Sequence, residues 1–307
     1  MEDDNNSHNH ERGTDGEKLR QYEIIYAEAN SIREKDKIST RGLFQSFYKK
    51  KLNVGIGFQR AYGAILSGDY YDLIKLPDGN YLFIFADMSG HGLPAYTNLV
   101  RLRSAITISI IESKNIYERA GTLNPDFLVR SISSKFTDIM AESYSHDFAC
   151  VLFTFIYNAG DRFHLKFYNR SMLFPIIIRK FEKRVVDLYN LNTEEKGWRP
   201  LKGYLLSSDV RFLLGDRYLE TPSCEFVLYE GDSILFYSDG IVEACNKDNS
   251  LEEFGEDRII HVLVETLNLM PQLVIHELFN SVYAYIGRAE NQKDDMTAVL
   301  IDFPPVR

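Results

Sequence analysis

An α+β fold in which antiparallel strands lie between helices is predicted by the sequence, on three observations. From Val54 onward, short apolar runs are divided by turn residues, as in strands joined by tight loops. Two helical stretches follow the first three of these runs and two more precede the last, an order that does not alternate as βαβ units do. Aspartates gather at the tips of the apolar runs, so polar chemistry is expected at strand ends.

Taken in order, Met1 to Gly16 is rich in Asn, Asp, His and Glu and has almost nothing to bury, which predicts a disordered tail over 1–16. His8 and His10 in that tail lack the fixed geometry that a metal site needs. Glu17 to Lys37 sets Leu19, Tyr22, Ile25, Ala27 and Ile32 among charges, a pattern suited to an amphipathic helix. We read 17–40 as a helical extension that packs on a partner, on a second copy of the chain or on its own domain, and 41–307 as one domain.

Val54 to Leu66 and Tyr70 to Leu76 read as strands, Pro77-Asp78-Gly79-Asn80 as a hairpin turn, and Tyr81 to Ala86 as a buried strand. This hairpin brings Asp69 and Asp87 to neighbouring ends. Gly90 to Glu112 reads as a helix with Pro94 in its first turn, and Asn124 to Ala141 as another, capped by Asn124 with Pro125 at its first position. Strands resume at Phe148 to Tyr157, Phe163 to Tyr168 and Pro175 to Arg179, with weaker ones as far as Leu214. Glu225 to Leu228 and Ser233 to Tyr237 follow. Ser250 to Leu267 and Gln272 to Gly287 read as helices and Met296 to Asp302 as a final strand.

The 307 residues are 45% hydrophobic and 26% charged, which suits an ordinary folded domain. A formal net charge of -9 argues against a nucleic-acid surface, since phosphate backbones are bound by Lys and Arg clusters. No apolar stretch is long enough to span a bilayer and the first residues are too acidic for a signal peptide, so a soluble cytoplasmic protein is expected. Cys150, Cys224 and Cys245 show no paired spacing and are read as reduced packing residues.

The aspartate clusters are Ser67-Gly68-Asp69-Tyr70-Tyr71-Asp72, Ala86-Asp87-Met88-Ser89-Gly90-His91-Gly92, Tyr237-Ser238-Asp239-Gly240 and Lys293-Asp294-Asp295-Met296-Thr297. Carboxylates collected at the ends of buried strands repel one another and lose hydration unless a cation neutralises them. Oxygen donors without clustered Cys or His favour Mg²⁺ or Mn²⁺ over zinc. Any one of these aspartates could equally be a turn or cap residue, which is how Asp78 and Asp232 are read.

The ordered set of Ser-Gly-Asp-Tyr-Tyr-Asp at 67–72, Ala-Asp-Met-Ser-Gly-His-Gly-Leu-Pro-Ala at 86–95, Ser-Asp-Gly-Ile-Val-Glu-Ala at 238–244, Phe-Gly-Glu-Asp-Arg at 254–258 and Asp-Asp-Met-Thr at 294–297 resembles the SpoIIE/RsbU-type branch of the PPM serine/threonine protein phosphatases. The resemblance runs from about residue 50 to 303. It implies an αββα sandwich of two mainly antiparallel sheets, with two divalent cations, Mn²⁺ or Mg²⁺, at one end. By motif, Asp87 would bridge both metals with the Met88 backbone carbonyl beside it, and Asp239 and Asp294 would complete the shell, with Asp295 as the alternative to Asp294. Asp69 would act at the same site, directly or through water. A water activated between two cations would attack the phosphoryl group, so no protein nucleophile is required. His91 would serve as general acid, as a helix cap or as a support for the Asp87 loop; Asp72 and Glu243 would lie around the ligands or on the surface.

The chain departs from the resemblance at Tyr168-Asn169-Arg170-Ser171-Met172, on a loop beside the implied active site, and around Gly203-Tyr204-Leu205-Leu206. None of the implied ligands is missing. The implied substrate is a phosphoserine or phosphothreonine on a bacterial signalling protein, a STAS-type anti-sigma-factor antagonist in a partner-switching pathway. Control would come through the 17–37 helix, by an activator or by self-dimerisation. Competing readings are a catalytically silent scaffold of the same fold and a different two-metal hydrolase such as a nuclease; the acidic balance disfavours the latter.

Overall fold

The computed structural model describes residues 54–158, 162–188 and 202–303. The chain divides into units 1–42 and 43–307, and all described residues belong to the second. The tail at 1–16 and the helix read at 17–37 lie outside them.

Eleven strands and six helices are described. They are β1 (Val54–Gln59), β2 (Tyr70–Lys75), β3 (Tyr81–Met88), α1 (Gly92–Ala120), α2 (Pro125–Glu142), β4 (Ala149–Asn158), β5 (Arg162–Arg170), β6 (Ile176–Arg179), β7 (Arg184–Asp187), β8 (Lys202–Gly203), α3 (Ser208–Leu214), β9 (Ser223–Tyr229), β10 (Asp232–Tyr237), α4 (Asp239–Val242), α5 (Gly255–Glu265), α6 (Pro271–Ile286) and β11 (Met296–Asp302). One sheet runs β1-β11-β10-β6-β7. The other runs β2-β3-β4-β5-β8, with β9 also paired to β5. Every pairing is antiparallel except β5 with β8.

Strict alternation along the strands gives each sheet two apolar faces, and so builds four layers. Phe83, Phe85, Leu152 and Phe167 of one sheet meet Ile177, Ile234, Phe236 and Val299 of the other between the sheets. The Phe83 and Phe236 rings lie 4.5 Å apart across that interface. The intervening residues Ile84, Ala86, Val151 and Phe153 pack under Leu102, Ile106, Ile132 and Phe136 of α1 and α2. On the far side, Leu235, Ala298 and Leu300 are covered by Ile259, Val274, Ile275 and Leu278 of α5 and α6. The predicted α+β layout of two mainly antiparallel sheets flanked by helices is the observed one.

Local signals explain most boundaries. In the β2–β3 turn, Asp78 Oδ1 accepts the Asn80 amide at 3.1 Å and Gly79 holds φ 87°. The Asn124 side chain accepts the Phe127 amide at 3.2 Å, as an N-cap should. α1 runs on past Glu112 to Ala120 and stops where Gly121 takes a left-handed conformation. The strand predicted through Leu66 ends at Gln59, and the weak strand predicted toward Leu214 is instead α3, capped by Ser207. Among the described residues no helix is long and apolar enough to cross a membrane.

Candidate metal centre

The two middle strands of one sheet and the β2–β3 hairpin of the other deliver aspartates to one end of the sandwich. Asp69 immediately precedes β2, Asp87 is the penultimate residue of β3, Asp239 opens α4 directly beyond β10, and Asp294 and Asp295 precede β11. Asp87 lies in register with Cys150 of β4. The strand parity that turns Phe83 and Phe85 toward the space between the sheets turns Asp87 the same way.

Asp239 and Asp87 stand within hydrogen-bonding reach of each other, an approach that two ionised carboxylates do not tolerate without a shared proton or a cation. Burial raises the Asp87 carboxyl well above its ordinary range, and the charges of Asp69, Asp239, Asp294 and Asp295 raise it further. Burial likewise raises Asp69, Asp239 and Asp294. Hydrogen bonds offset part of this. Thr297 Oγ1 donates to Asp69 Oδ2 at 2.6 Å, and the Asp295 amide donates to Asp294 Oδ1 at 2.8 Å. Beside them, burial together with Asp87 and Asp239 pushes the Cys150 thiol up to about 12.

Asp295 is a different kind of aspartate. It is 2% exposed, and its two carboxylate oxygens accept the Ala61 amide at 2.9 Å and the Gly68 amide at 2.8 Å. The carboxylate thereby ties the segment that carries Asp69 to the segment that carries Asp294. Gly240 completes the joint, because a Cβ there would stand 2.1 Å from the Asp295 carbonyl oxygen. Gly68 lets backbone approach in the same way, since its Cβ would come within 3.0 Å of the Met88 carbonyl oxygen.

Asp69, Asp87, Asp239 and Asp294 are thus brought to one end of the sandwich. Asp72 is set apart: its register partner Ile84 faces the helices, and its Oδ2 accepts the Tyr70 hydroxyl at 3.0 Å. Glu243 is exposed at the edge of the group. His91 occupies the N-cap position of α1, but its side chain makes no capping bond; it is exposed, and its charge acts on Asp294. Asp232, read as a turn residue, does accept the Tyr229 amide at 2.9 Å, yet it is also buried against Arg179 at 2.8 Å.

Sequence reasoning missed the hydroxyls of Ser238 and Thr297, both of which hold Asp69. Their place inside the Ser-Asp-Gly and Asp-Asp-Met-Thr motifs was the available signal. In the divergent segment, Asn169 Nδ2 donates to the Met172 carbonyl at 3.0 Å and Asn169 Oδ1 accepts the Met172 amide at 2.8 Å. Arg170, fully buried, stacks 4.4 Å from the Tyr218 ring and donates to the Tyr218 carbonyl and Thr221 hydroxyl, clamping the 203–221 segment onto β5.

Among the described residues no three His, Cys, Asp or Glu side chains are gathered tightly enough to close a metal site as they stand. The donors nevertheless fit a hard divalent cation in kind, being carboxylate oxygens, and in electrostatics, since burial and mutual repulsion disfavour their ionised forms until positive charge arrives.

Residues 199–304 match the family model of stage II sporulation protein E (SpoIIE). No curated protein sequence matches the chain. Among solved structures the chain is similar to the SiaA-PP2C domain of Pseudomonas aeruginosa, at 16% identity and TM-score 0.64, over 93% of this chain and 98% of that one. It is similar also to the PP2C phosphatase domain, with a fragment of the regulatory domain, of the cell fate determinant SpoIIE from Bacillus subtilis, at 15% identity and TM-score 0.59, over 83% of this chain and 64% of that one. A third likeness is to the RsbU and RsbW domains of Rv1364c from Mycobacterium tuberculosis, at 16% identity and TM-score 0.55, over 83% and 61%. This chain therefore spans less than two thirds of the latter two. The last third of the chain is thus similar to SpoIIE, and the four-layer architecture is the fold of PP2C phosphatase domains.

Proposed function

We propose that the chain is a metal-dependent serine/threonine protein phosphatase. The observation that carries this reading is the approach of Asp87 and Asp239 at a partly buried strand end, where Asp69, Asp294 and Asp295 add like charge around Asp87. Asp87, Asp239 and Asp294 would hold two divalent cations, Mn²⁺ or Mg²⁺, with the Met88 carbonyl beside Asp87. When bound, such a pair supplies an acidified water and neutralises phosphoryl oxygens during in-line displacement.

The chain's own groups do the rest. Asp69, fixed by Thr297, orients water at the centre, and we take Asp294 rather than Asp295 as a ligand because Asp295 spends both oxygens on backbone amides. His91, exposed near Asp294, is the group this reading assigns to the proton of the leaving serine or threonine oxygen. The substrate is a phosphorylated signalling protein of the STAS anti-sigma-factor antagonist type, acted on in the cytoplasm. The motif resemblance, the SpoIIE match and the likeness to RsbU and RsbW domains support that choice.

The test is hydrolysis of para-nitrophenyl phosphate with and without Mn²⁺, in the native protein and in Asp87→Ala and Asp239→Ala. Metal-dependent turnover in the native protein alone is expected. Turnover that survives both substitutions would sink the mechanism, and native protein that binds Mn²⁺ without turnover would point to the silent scaffold.

A further inference from the structure

The acidic end has a basic neighbour that the mechanism above does not use. Lys202 begins β8, in register with Asn169 of β5, which in turn pairs with Leu152 of β4. Leu152 lies in the core between the sheets, and Cys150, two residues back on β4 and opposite Asp87, packs against that same core. Register partners share a face, so Lys202 lies on the face that carries Cys150 and Asp87, one repeat further along the strands.

Its ammonium sits 5.7 Å from the centroid of the Phe174 ring, and its charge acts on Cys150, which also feels Asp87 and Asp239, and on Glu256. Glu256 accepts the Tyr237 hydroxyl at 2.7 Å, and Tyr237 lies two residues before Asp239. Phe174 lies in the crossing from β5 to β6, so the lysine charge lies at the end of the sandwich that also carries Asp87 and Asp239. Its backbone is anchored: Gly203 pairs with Arg170, and the Ser171 hydroxyl donates to the Gly203 carbonyl at 3.1 Å.

We propose that Lys202 is a substrate-contacting residue that receives the outer oxygens of the phosphoryl group as it enters the acidic end. This rests on the phosphatase reading. A phosphate dianion approaching a ring of carboxylates meets repulsion outside the reach of the cations, and a lysine held at the rim on a clamped strand offers a point charge there.

The experiment measures Mn²⁺ binding by calorimetry first, then inorganic phosphate binding to the Mn²⁺-loaded protein, in native, K202M and K202R forms. KM and kcat for a phosphoserine peptide are measured alongside. Expected is unchanged or tighter Mn²⁺ binding in K202M, a roughly tenfold loss of phosphate affinity and a matching rise in KM with kcat held, as removal of one charge-assisted contact gives. K202R should recover most of the loss. Unchanged phosphate affinity and KM in metal-loaded K202M would overturn the assignment and leave the metal centre standing. Native protein that binds no Mn²⁺ would overturn the phosphatase reading, and this one with it.

Discussion

Strands β10 and β11 carry acidic side chains at both of their ends, and the two ends are compensated in opposite ways. At one end Asp232 lies in register with Arg179 and is bonded to it at 2.8 Å, while Asp302 takes Lys180 at 2.8 Å and the Ser233 hydroxyl. At the other end Asp239 meets Asp87, and Asp294 adds a further negative charge. The same sheet thus supplies its own cations at one end, and faces acid with acid at the end to which the proposed function assigns chemistry. Buried charge must be balanced somewhere, and on the proposed function the difference marks where the balance would come from outside the chain.

The sharpest way to break this contrast is to truncate one acid at each end. Asp239→Ala should lower metal-dependent phosphatase turnover by about 10³-fold while leaving the melting temperature of the metal-free protein equal or higher, because a repelling charge is gone. Asp232→Ala should do the reverse. It strands a buried Arg179 and should cost about 3–5 kcal/mol in urea unfolding, with turnover per folded molecule kept. If both variants lost activity and stability alike, the two ends would not differ in kind.

A smaller effect is expected where the ends are built rather than charged. Gly240→Ala forces a methyl against the Asp295 carbonyl and should destabilise by about 1–3 kcal/mol, with weaker Mn²⁺ binding measured by calorimetry. Thr297→Val removes the 2.6 Å bond to Asp69 and should cost about 1–2 kcal/mol, read in the same unfolding assay.

The smallest effect is on pH dependence. Burial and neighbouring carboxylates raise the Asp87 pKa above 3.8, so its contribution to stability is fully present below 3.8 and is lost as pH rises through the raised value. Metal-free native protein should therefore lose melting temperature relative to Asp87→Asn on going from acid to neutral pH, by about 2–4 °C for each kcal/mol involved. Saturating Mn²⁺ should reverse the sign. A difference that stayed flat with pH would remove the repulsion argument.

Much of the architecture was legible. The hairpin around Asp78 and Gly79, the Asn124 cap and the alternation along β3 each follow from local chemistry, and the motif order named the aspartates that gather. What escaped depends on contacts distant in sequence. Residues 60–66 read as strand because they are apolar, but the Ala61 amide is claimed by Asp295, far along the chain, so the ladder stops at Gln59. Ser250 to Phe254 read as helix, yet the Phe254 amide bonds the Ala244 carbonyl, and helix begins only at Gly255. The α3 helix was missed although Ser207 offered a cap signal. The preference for Asp294 over Asp295 rested on the motif's leading position alone; the amides that Asp295 accepts give it a physical reason.

Strand β11 lies between β1 and β10, and its leading Asp295 lashes the loop that bears Asp69. During synthesis, every acid in the group except Asp294 and Asp295 leaves the ribosome long before the strand that fastens them together. A nascent chain short of residue 296 therefore lacks the strand that pairs β1. The tie that gathers the acids is thus made only once β11 is in place.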